Sequence, residues 1–272
     1  MLSKKSTCII DIINGKYKDD LINLFNKLLK NINISEQEFL NIIHDKNNNT
    51  DEKIIKCFTK LNKNQQIGYS EESDKYRAYG KWKNIKFDIP KPTKSILDFG
   101  GNVGNTAMIL GRQILKLSKE NTLCVDIDTW AEENWKPRDD ITWYHTNDLN
   151  KIESNSISLI TCFHTFHHIP NNLYEVIITH LYRILNSNGI LVLYEHDAPS
   201  IEWSQIIDLE HILYDVTLSK KMTYSKFLKM HYAKYLNIKE WMTLFKKYNF
   251  KIIKTKKIKS LDNSFYLFIR KF

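Results

Sequence analysis

Three of the chain's eight glycines, Gly100, Gly101 and Gly104, fall within five positions, directly after the short apolar run Ile96-Leu97-Asp98-Phe99. NTAMILGRQILKLSKE follows them and has helical periodicity. A strand that turns on glycines into a helix lets backbone approach a ligand closely and points helix N–H groups at it. Such a turn can also serve packing alone, so both readings stand on this feature by itself. Two carboxylates sharpen the binding reading. Asp126 ends the next apolar run, TLCVDID, where a carboxylate can accept hydrogen bonds from both hydroxyls of a ribose. Asp148 follows a third run, ITWYHTND, where it could take an exocyclic amine. No G-x-x-x-x-G-K-[ST] occurs, which argues against a P-loop nucleotidase.

The rest of the second half continues the alternation. SISLITCFHT reads as a fourth strand, NNLYEVIITHLYRILN as a helix closed by Gly189, and GILVLYEHD as a fifth strand. Strands alternating with helices predict an α/β fold with a parallel sheet covered on both faces and right-handed crossovers. Residues 201–248 read as two or three amphipathic helices. NFKIIKTKKIK and NSFYLFIRKF are two further strands separated only by LDNS, short enough for an antiparallel hairpin.

The first 75 residues predict helices and little chemistry. DDLINLFNKLLKNI puts Leu21, Leu24, Phe25, Leu28 and Leu29 on one face. Ser35 with Glu38 forms a capping-box pattern opening a helix through His44, and Thr50 is the N-cap of a third helix over 51–62. KNQQIGYSEESDKYRAYGKWKN reads as a connector with aromatic anchors. The expected organisation is a helical N-terminal extension over 1–75 and a second domain over 76–272, in which 198–248 is a helical insertion.

At 272 residues with 42% apolar and 26% charged side chains, the chain can bury a sizeable core, and wholesale disorder is not expected. No run of about 18 apolar residues predicts a transmembrane segment. The N-terminus has too short an apolar stretch for a secretory signal. Cys8, Cys57, Cys124 and Cys162 show no paired spacing, so neither a disulfide framework nor a zinc ribbon is expected, and a reducing, cytoplasmic setting fits. The net charge of +9 is uneven: residues 246–272 hold nine basic side chains and one acid, Asp262. Such a surface can hold phosphates or an anionic membrane face, or be a solvated lysine-rich surface with no partner.

Taken together, ILDFGGNVGNT, TLCVDID, HTNDL, SISLITCFHTFHHIPN and NGILVLYEHD, in this order, resemble the successive motifs of the class I S-adenosylmethionine-dependent methyltransferases, most closely their type 11 group. The terminal hairpin resembles the seventh-strand insertion of that family. The resemblance spans about residues 94–272 and implies a Rossmann-like, seven-stranded, mostly parallel sheet with S-adenosylmethionine as cofactor. The EHD ending, LEHILYDV and a later HY…EW segment also resemble methyltransferases of large DNA viruses, which implies a host-cytoplasmic protein.

Residue by residue, the resemblance implies that Asp98, Gly100, Gly101, Asn102 and Gly104 border the methionine part of the cofactor. It implies Asp126 on the ribose, with Asp128 as a substitute, Asp148 at the adenine amine with Leu149 against the ring, and Phe163 and His164 lining the pocket. Asn102 stands where the family often has glycine, and Ser158 where the fourth strand often begins with Asp. His196, flanked by Glu195 and Asp197 just past the fifth strand, is the candidate general base with a tuned pKa. Tyr76, Arg77, Tyr79, His167, His168 and Tyr232 are candidates for contacting the acceptor. His167 and His168 have a structural alternative beneath the loop before Pro170. His164, His167, His168 and His196 match no zinc-ligand spacing, so no metal is expected.

Three functions follow as expectations. One is methyl transfer to a small molecule. Another is methyl transfer to RNA or an RNA cap, favoured by positive charge and an aromatic lid. The third is a non-catalytic subunit of the same fold that binds RNA or a partner enzyme, the partner docking on the N-terminal helices.

Overall fold

Strands β1 (Ile96–Phe99), β2 (Thr122–Asp126) and β4 (Ile157–Phe163) are buried at every position. Continuous rather than alternating burial is what strands covered on both faces require. β3 (Thr142–His145) is half-buried throughout and lies at the sheet edge. β5 (Leu185–His196), β6 (Phe250–Lys257) and β7 (Ser264–Lys271) complete a seven-stranded sheet of order β3-β2-β1-β4-β5-β7-β6. The pairs β1–β2, β2–β3, β1–β4 and β4–β5 are parallel, whereas β7 runs antiparallel to both β5 and β6. The direction of winding therefore reverses between β1 and β4. Open sheets of this kind bind ligands at the carboxyl ends of the strands beside such a reversal.

The structure, a computed structural model, describes residues 9–29, 35–48, 50–61, 71–127, 136–219, 222–258 and 263–272. In chain order its helices are α1 (Ile9–Ile13), α2 (Lys18–Leu29), α3 (Glu36–His44), α4 (Asp51–Leu61), α5 (Glu71–Ile85), α6 (Asn105–Ala107), α7 (Tyr174–Ile184), α8 (Ile201–Ile212), α9 (Tyr224–Met230) and α10 (Ile238–Lys247). The described residues divide into two compact units. One comprises those within 1–68, 198–235 and 259–263, and the other those within 69–197, 236–258 and 264–272.

The first unit is helical. Leu21, Leu24, Phe25 and Leu28 of α2 pack with Phe39, Phe58 and the α8 residues Ile206, Leu209 and Ile212. The rings of Phe25, Phe39 and Phe58 lie 4.4–5.6 Å apart, within the range of favourable aromatic pairing. The capping box of Ser35 and Glu38 is formed, and Thr50 caps α4 through the Lys53 N–H. Inside this unit Asp51 is buried and accepts the Ile9 N–H at 2.8 Å; burial pushes its pKa up to about 6.

The second unit carries the sheet. Its largest core joins Leu97, Ile160, Leu191, Phe166, Trp241 and Phe245. Trp241 and Phe245 of α10 are fully buried, as their helical spacing predicts, and Asn237 with Glu240 forms a second capping box.

Several local expectations need correction. The stretch read as a connector contains α5, a fifteen-residue helix. Its inward positions are Ala78, Lys81, Trp82 and Ile85, a helical stripe disguised by a lysine. After the glycine turn, α6 gives way at once to a π-helix over Met108–Ile114, and LKLSKE lies beyond it. Gly111 is pressed between Thr122 and Ile96, where an added Cβ would come within 2.5 Å of Thr122. Gly189 does not close α7, which ends at Ile184; it lies within β5, where the β4–β5 register jumps between Ile157 and Leu159. Residues 231–237 form neither helix nor strand, so α10 starts only at Ile238. Asp128, the side chain of Leu29 and the Leu261-Asp262 turn of the hairpin lie outside the described residues.

Candidate functional site

The glycine turn leaves β1 with Gly100 at φ +76°, Asn102 at +54° and Gly104 at +99°. These are left-handed conformations, free for glycine and tolerated by asparagine better than by most other residues. Asn102 therefore stands where a glycine would without breaking the turn. Protein atoms already press on the turn. A Cβ on Gly100 would lie 2.1 Å from Thr165 Oγ1, and one on Gly101 would lie 2.6 Å from Cys124 Sγ. One on Gly104 would lie 2.2 Å from Ile141 Cδ1.

β2 delivers Asp126 to this turn. Its Oδ2 accepts the Asn102 N–H at 2.5 Å and its Oδ1 the Ile127 N–H at 2.6 Å. A carboxylate oxygen has two lone pairs, so each keeps one for a further donor. Burial raises the Asp126 pKa, and the two N–H bonds oppose the rise. Trp143 Nε1–H donates to the Asn102 carbonyl at 2.8 Å and braces the turn from β3.

Asp98 is buried at the end of β1 and accepts the Thr161 hydroxyl at 2.6 Å. Burial pushes its pKa up to about 6, against the Thr161 bond and the charge of Lys81. Lys81 reaches in from α5, its Nζ 4.7 Å from the centre of the Phe163 ring. Burial lowers the Lys81 pKa while the Asp98 charge opposes it. Lys81 is not among the residues expected at the site, because it falls in the stretch read as a connector. Its spacing with Ala78, Trp82 and Ile85 was the available signal.

On the other side of the reversal, β4 is followed by His164, itself at φ +53°. The rings of His164 and His196 stack at 4.2 Å, those of His164 and Tyr194 at 4.2 Å, and those of Tyr194 and Tyr266 at 4.3 Å. The His164 Nε2 lies 3.2 Å from Ser264 Oγ. Glu195 is fully buried. Its Oε1 accepts the N–H groups of Thr165 and Phe166 at 3.0 and 2.8 Å, and its Oε2 lies 2.6 Å from His167 Nδ1. Burial pushes its pKa up to about 7, with the His196 and His168 charges and both backbone bonds opposing. Asp197 accepts the Ile238 N–H at 3.1 Å and pairs with Lys257 at 2.9 Å.

The carboxyl edge of the sheet thus brings together Asp98, Gly100, Gly101, Asn102, Gly104, Asp126, Phe163, His164 and His196. Asp148 lies after β3, partly exposed and paired with Lys151 at 2.9 Å. Leu149 is buried in the main core. His167 is buried against Glu195, with His168 at its side. Tyr76 and Tyr79 are exposed on α5, and Arg77 there is paired with Asp74. Tyr232 belongs to the helical unit. Ser158 is at the opposite end of β4, bonded with Ser95, so its substitution leaves the carboxyl edge untouched.

This turn, with a ribose-competent carboxylate on the neighbouring strand and a terminal antiparallel hairpin, defines a nucleoside-binding α/β protein of the methyltransferase type. A model of the methyltransferase domain matches residues 72–255, and the chain belongs to that family, the class I S-adenosylmethionine-dependent methyltransferases, with S-adenosylmethionine as cofactor. Among solved structures, an S-adenosylmethionine-dependent methyltransferase from Archaeoglobus fulgidus superposes with a TM-score of 0.50 at 11% identity, over 74% of this chain and 95% of that one. A chain of the Haloferax volcanii complex that contains the Trm112 methyltransferase activator gives the same TM-score, 0.50, at 11% identity, over 74% and 92%. At that identity the likeness speaks for the fold. No curated protein matches the chain in sequence. Among the described residues, no helix is long and apolar enough to cross a membrane.

Proposed function

We propose that the chain transfers a methyl group from S-adenosylmethionine to a small-molecule or RNA acceptor, and that the cofactor lies across Gly100–Gly104 and Asp126. The observation that carries this is the 2.5 Å bond from the Asn102 N–H to Asp126, which brings the glycine turn and the carboxylate into one cradle. Asp126, with one lone pair left on each oxygen, would hold the two ribose hydroxyls. Asp98 would hold the ammonium of the methionine part, and Lys81 would hold its carboxylate. Asp148, just past β3, would take the adenine amine on release from Lys151. When bound, S-adenosylmethionine supplies a methyl on a positively charged sulfur and leaves as a neutral thioether.

An acceptor hydroxyl or amine must lose a proton as its new bond forms. His196 takes that proton in this reading. Its ring is held by stacking on His164, and Glu195 and Asp197 on either side fix the chain that carries it. The remaining contribution is positioning of the acceptor beside the methyl, which needs no further catalytic group. His167 and His168 keep the loop after β4 in shape, and Tyr76 and Tyr79 are left for the acceptor. The helical unit offers a surface for a protein partner.

Calorimetry with S-adenosylmethionine and S-adenosylhomocysteine tests the cofactor reading. Both should bind, and Asp126→Ala should weaken them about 10- to 100-fold, the loss of one or two hydrogen bonds to a charged group. Absence of binding by the wild-type chain sinks the proposal. A pH series adds a second prediction. Asp98 titrates near 6, so affinity for the ammonium-bearing ligand should fall about tenfold per unit below that pH, and Asp98→Asn should abolish the slope. For the base, His196→Ala should lower turnover about a hundredfold and change cofactor affinity little. Equal loss in both would remove His196 from the proton transfer.

A further inference from the structure

Tyr76, Tyr79, Gly80 and Lys83 recur along α5 at the spacing of one helical face, and all four are exposed, Tyr76 by 83%. Just past the helix, Phe87 is 75% exposed. The Lys86 and Lys91 ammonium groups lie 4.8 and 5.9 Å from the centre of its ring. Phe87 also walls a cleft of about 280 Å³ with Trp82, Ile89, Pro90 and Leu115. Folding does not account for this face. Its aromatic rings stand in water, and a Cβ on Gly80 would meet nothing within 4 Å, so the backbone there lies open between the rings. Of the acids nearby, Asp88 is engaged by Lys254 at 2.7 Å and Asp74 by Arg77, while Glu72 lies one turn before Tyr76; the positive charge is concentrated at the Phe87 end, on Lys83, Lys86 and Lys91.

Flat apolar rings spaced along a basic surface suit a flexible polyanion that carries flat rings of its own. From Tyr76 to Ile85 the helix rises about 14 Å, enough to seat several successive bases. We propose that this face of α5 and the Phe87 cleft bind single-stranded nucleic acid. Bases stack on Tyr76, Tyr79 and Phe87, and the phosphates between them meet Lys83, Lys86 and Lys91. Lys86 and Lys91 lie over the Phe87 ring, so a base that stacks there displaces these flexible ammonium groups from the ring toward the phosphates that flank the base. The inference names an acceptor class within the function proposed above, yet its test reads binding alone and survives a failure of the methyl-transfer reading.

The test is fluorescence anisotropy of the full chain with a labelled oligouridine and a labelled oligothymidine of about 12 nucleotides each. Three phosphate contacts to a single strand predict a Kd that weakens about 20-fold between 50 and 200 mM salt. Phe87→Ala and Phe87→Leu should each weaken binding about tenfold, the leucine variant because it keeps apolar bulk and loses the stacking plane. Lys86→Gln with Lys91→Gln should cut the salt dependence to about a third. S-Adenosylhomocysteine binding by calorimetry should be unchanged in all of these variants, which shows that the cofactor site and the fold are intact. These losses with either RNA or DNA support the proposal. No binding of either strand at 50 mM salt overturns it. So does binding that these variants leave intact, which would move the contact elsewhere, for example to the basic C-terminal strands. Equal binding to phosphatidylserine vesicles that Phe87→Ala also abolishes would make the face a lipid contact and overturn it.

Discussion

Replacing Glu195 with alanine is expected to destabilise the protein by about 3–5 kcal/mol, the cost of leaving several buried hydrogen-bonding groups without their partner at once. Glu195 is fully buried and its two oxygens serve three groups: the Thr165 and Phe166 N–H groups and His167 Nδ1. Alanine leaves all three without that partner in a place water does not reach, and each orphaned group costs about 1–3 kcal/mol. Glu195→Gln keeps a carbonyl oxygen for the two N–H groups, and its amide can donate to a His167 nitrogen that carries no proton. It should cost less than half as much. Urea denaturation measures both, and similar losses in the two variants would refute the hydrogen-bond account.

The same residue predicts a pH dependence with a definite sign. Burial raises the Glu195 pKa from 4.5 to about 7, so the folded state holds its proton more tightly than the unfolded chain does. The contribution of this group to stability is full below about pH 4 and is lost as pH rises through 7. Asp98 and Asp51, both pushed up to about 6, act in the same direction over a lower window. Stability of the wild-type chain should therefore fall between pH 4 and 7 in proportion to these groups, and Glu195→Gln should remove the upper part of that slope. An unchanged slope between pH 6 and 7 in the glutamine variant would assign the titration to another group.

Gly100→Ala is expected to abolish measurable cofactor binding, a loss of at least a hundredfold. The new methyl would stand 2.1 Å from Thr165 Oγ1 and 2.2 Å from its Cγ2, and the residue must keep φ near +76°. Left-handed backbone costs a residue with a Cβ about 1–2 kcal/mol, and overpacking typically costs about 1–3 kcal/mol. Thr165 cannot simply retreat, because its N–H is tied to Glu195 at 3.0 Å. The turn must shift instead, and Asn102 N–H would move away from Asp126. Removing the opposing side chain tests this: the double variant Gly100→Ala, Thr165→Gly should recover part of the cofactor affinity. No recovery would mean that backbone strain alone, without the Thr165 overlap, carries the effect.

Local sequence patterns made much of the sheet legible. β1, β2 and β4 are short apolar runs, and the hairpin strands alternate or run apolar, so their existence and order could be read one segment at a time. The glycine turn and Asp126 were legible for the same reason, since each sits at the end of its own strand. Asn102 was legible as a departure, but only its backbone at φ +54° explains why asparagine serves there. The α5 helix was missed because the position that completes its buried stripe is Lys81, whose charge masks the period. Ser158 looked like a departure from the site, and the structure puts it at the far end of β4.

The sequence by itself determined the succession of strands along the chain, the glycine bend and the carboxylate that follows one strand later, because each depends on neighbours within a single element. Tertiary structure alone decided which polar groups meet. Thr161 reaches Asp98 across 63 residues, Glu195 reaches Phe166 across 29, and Asn102 reaches Asp126 across 24. A hydrogen bond requires atoms within about 3 Å, whatever their separation along the chain, and periodicity carries no information on that distance.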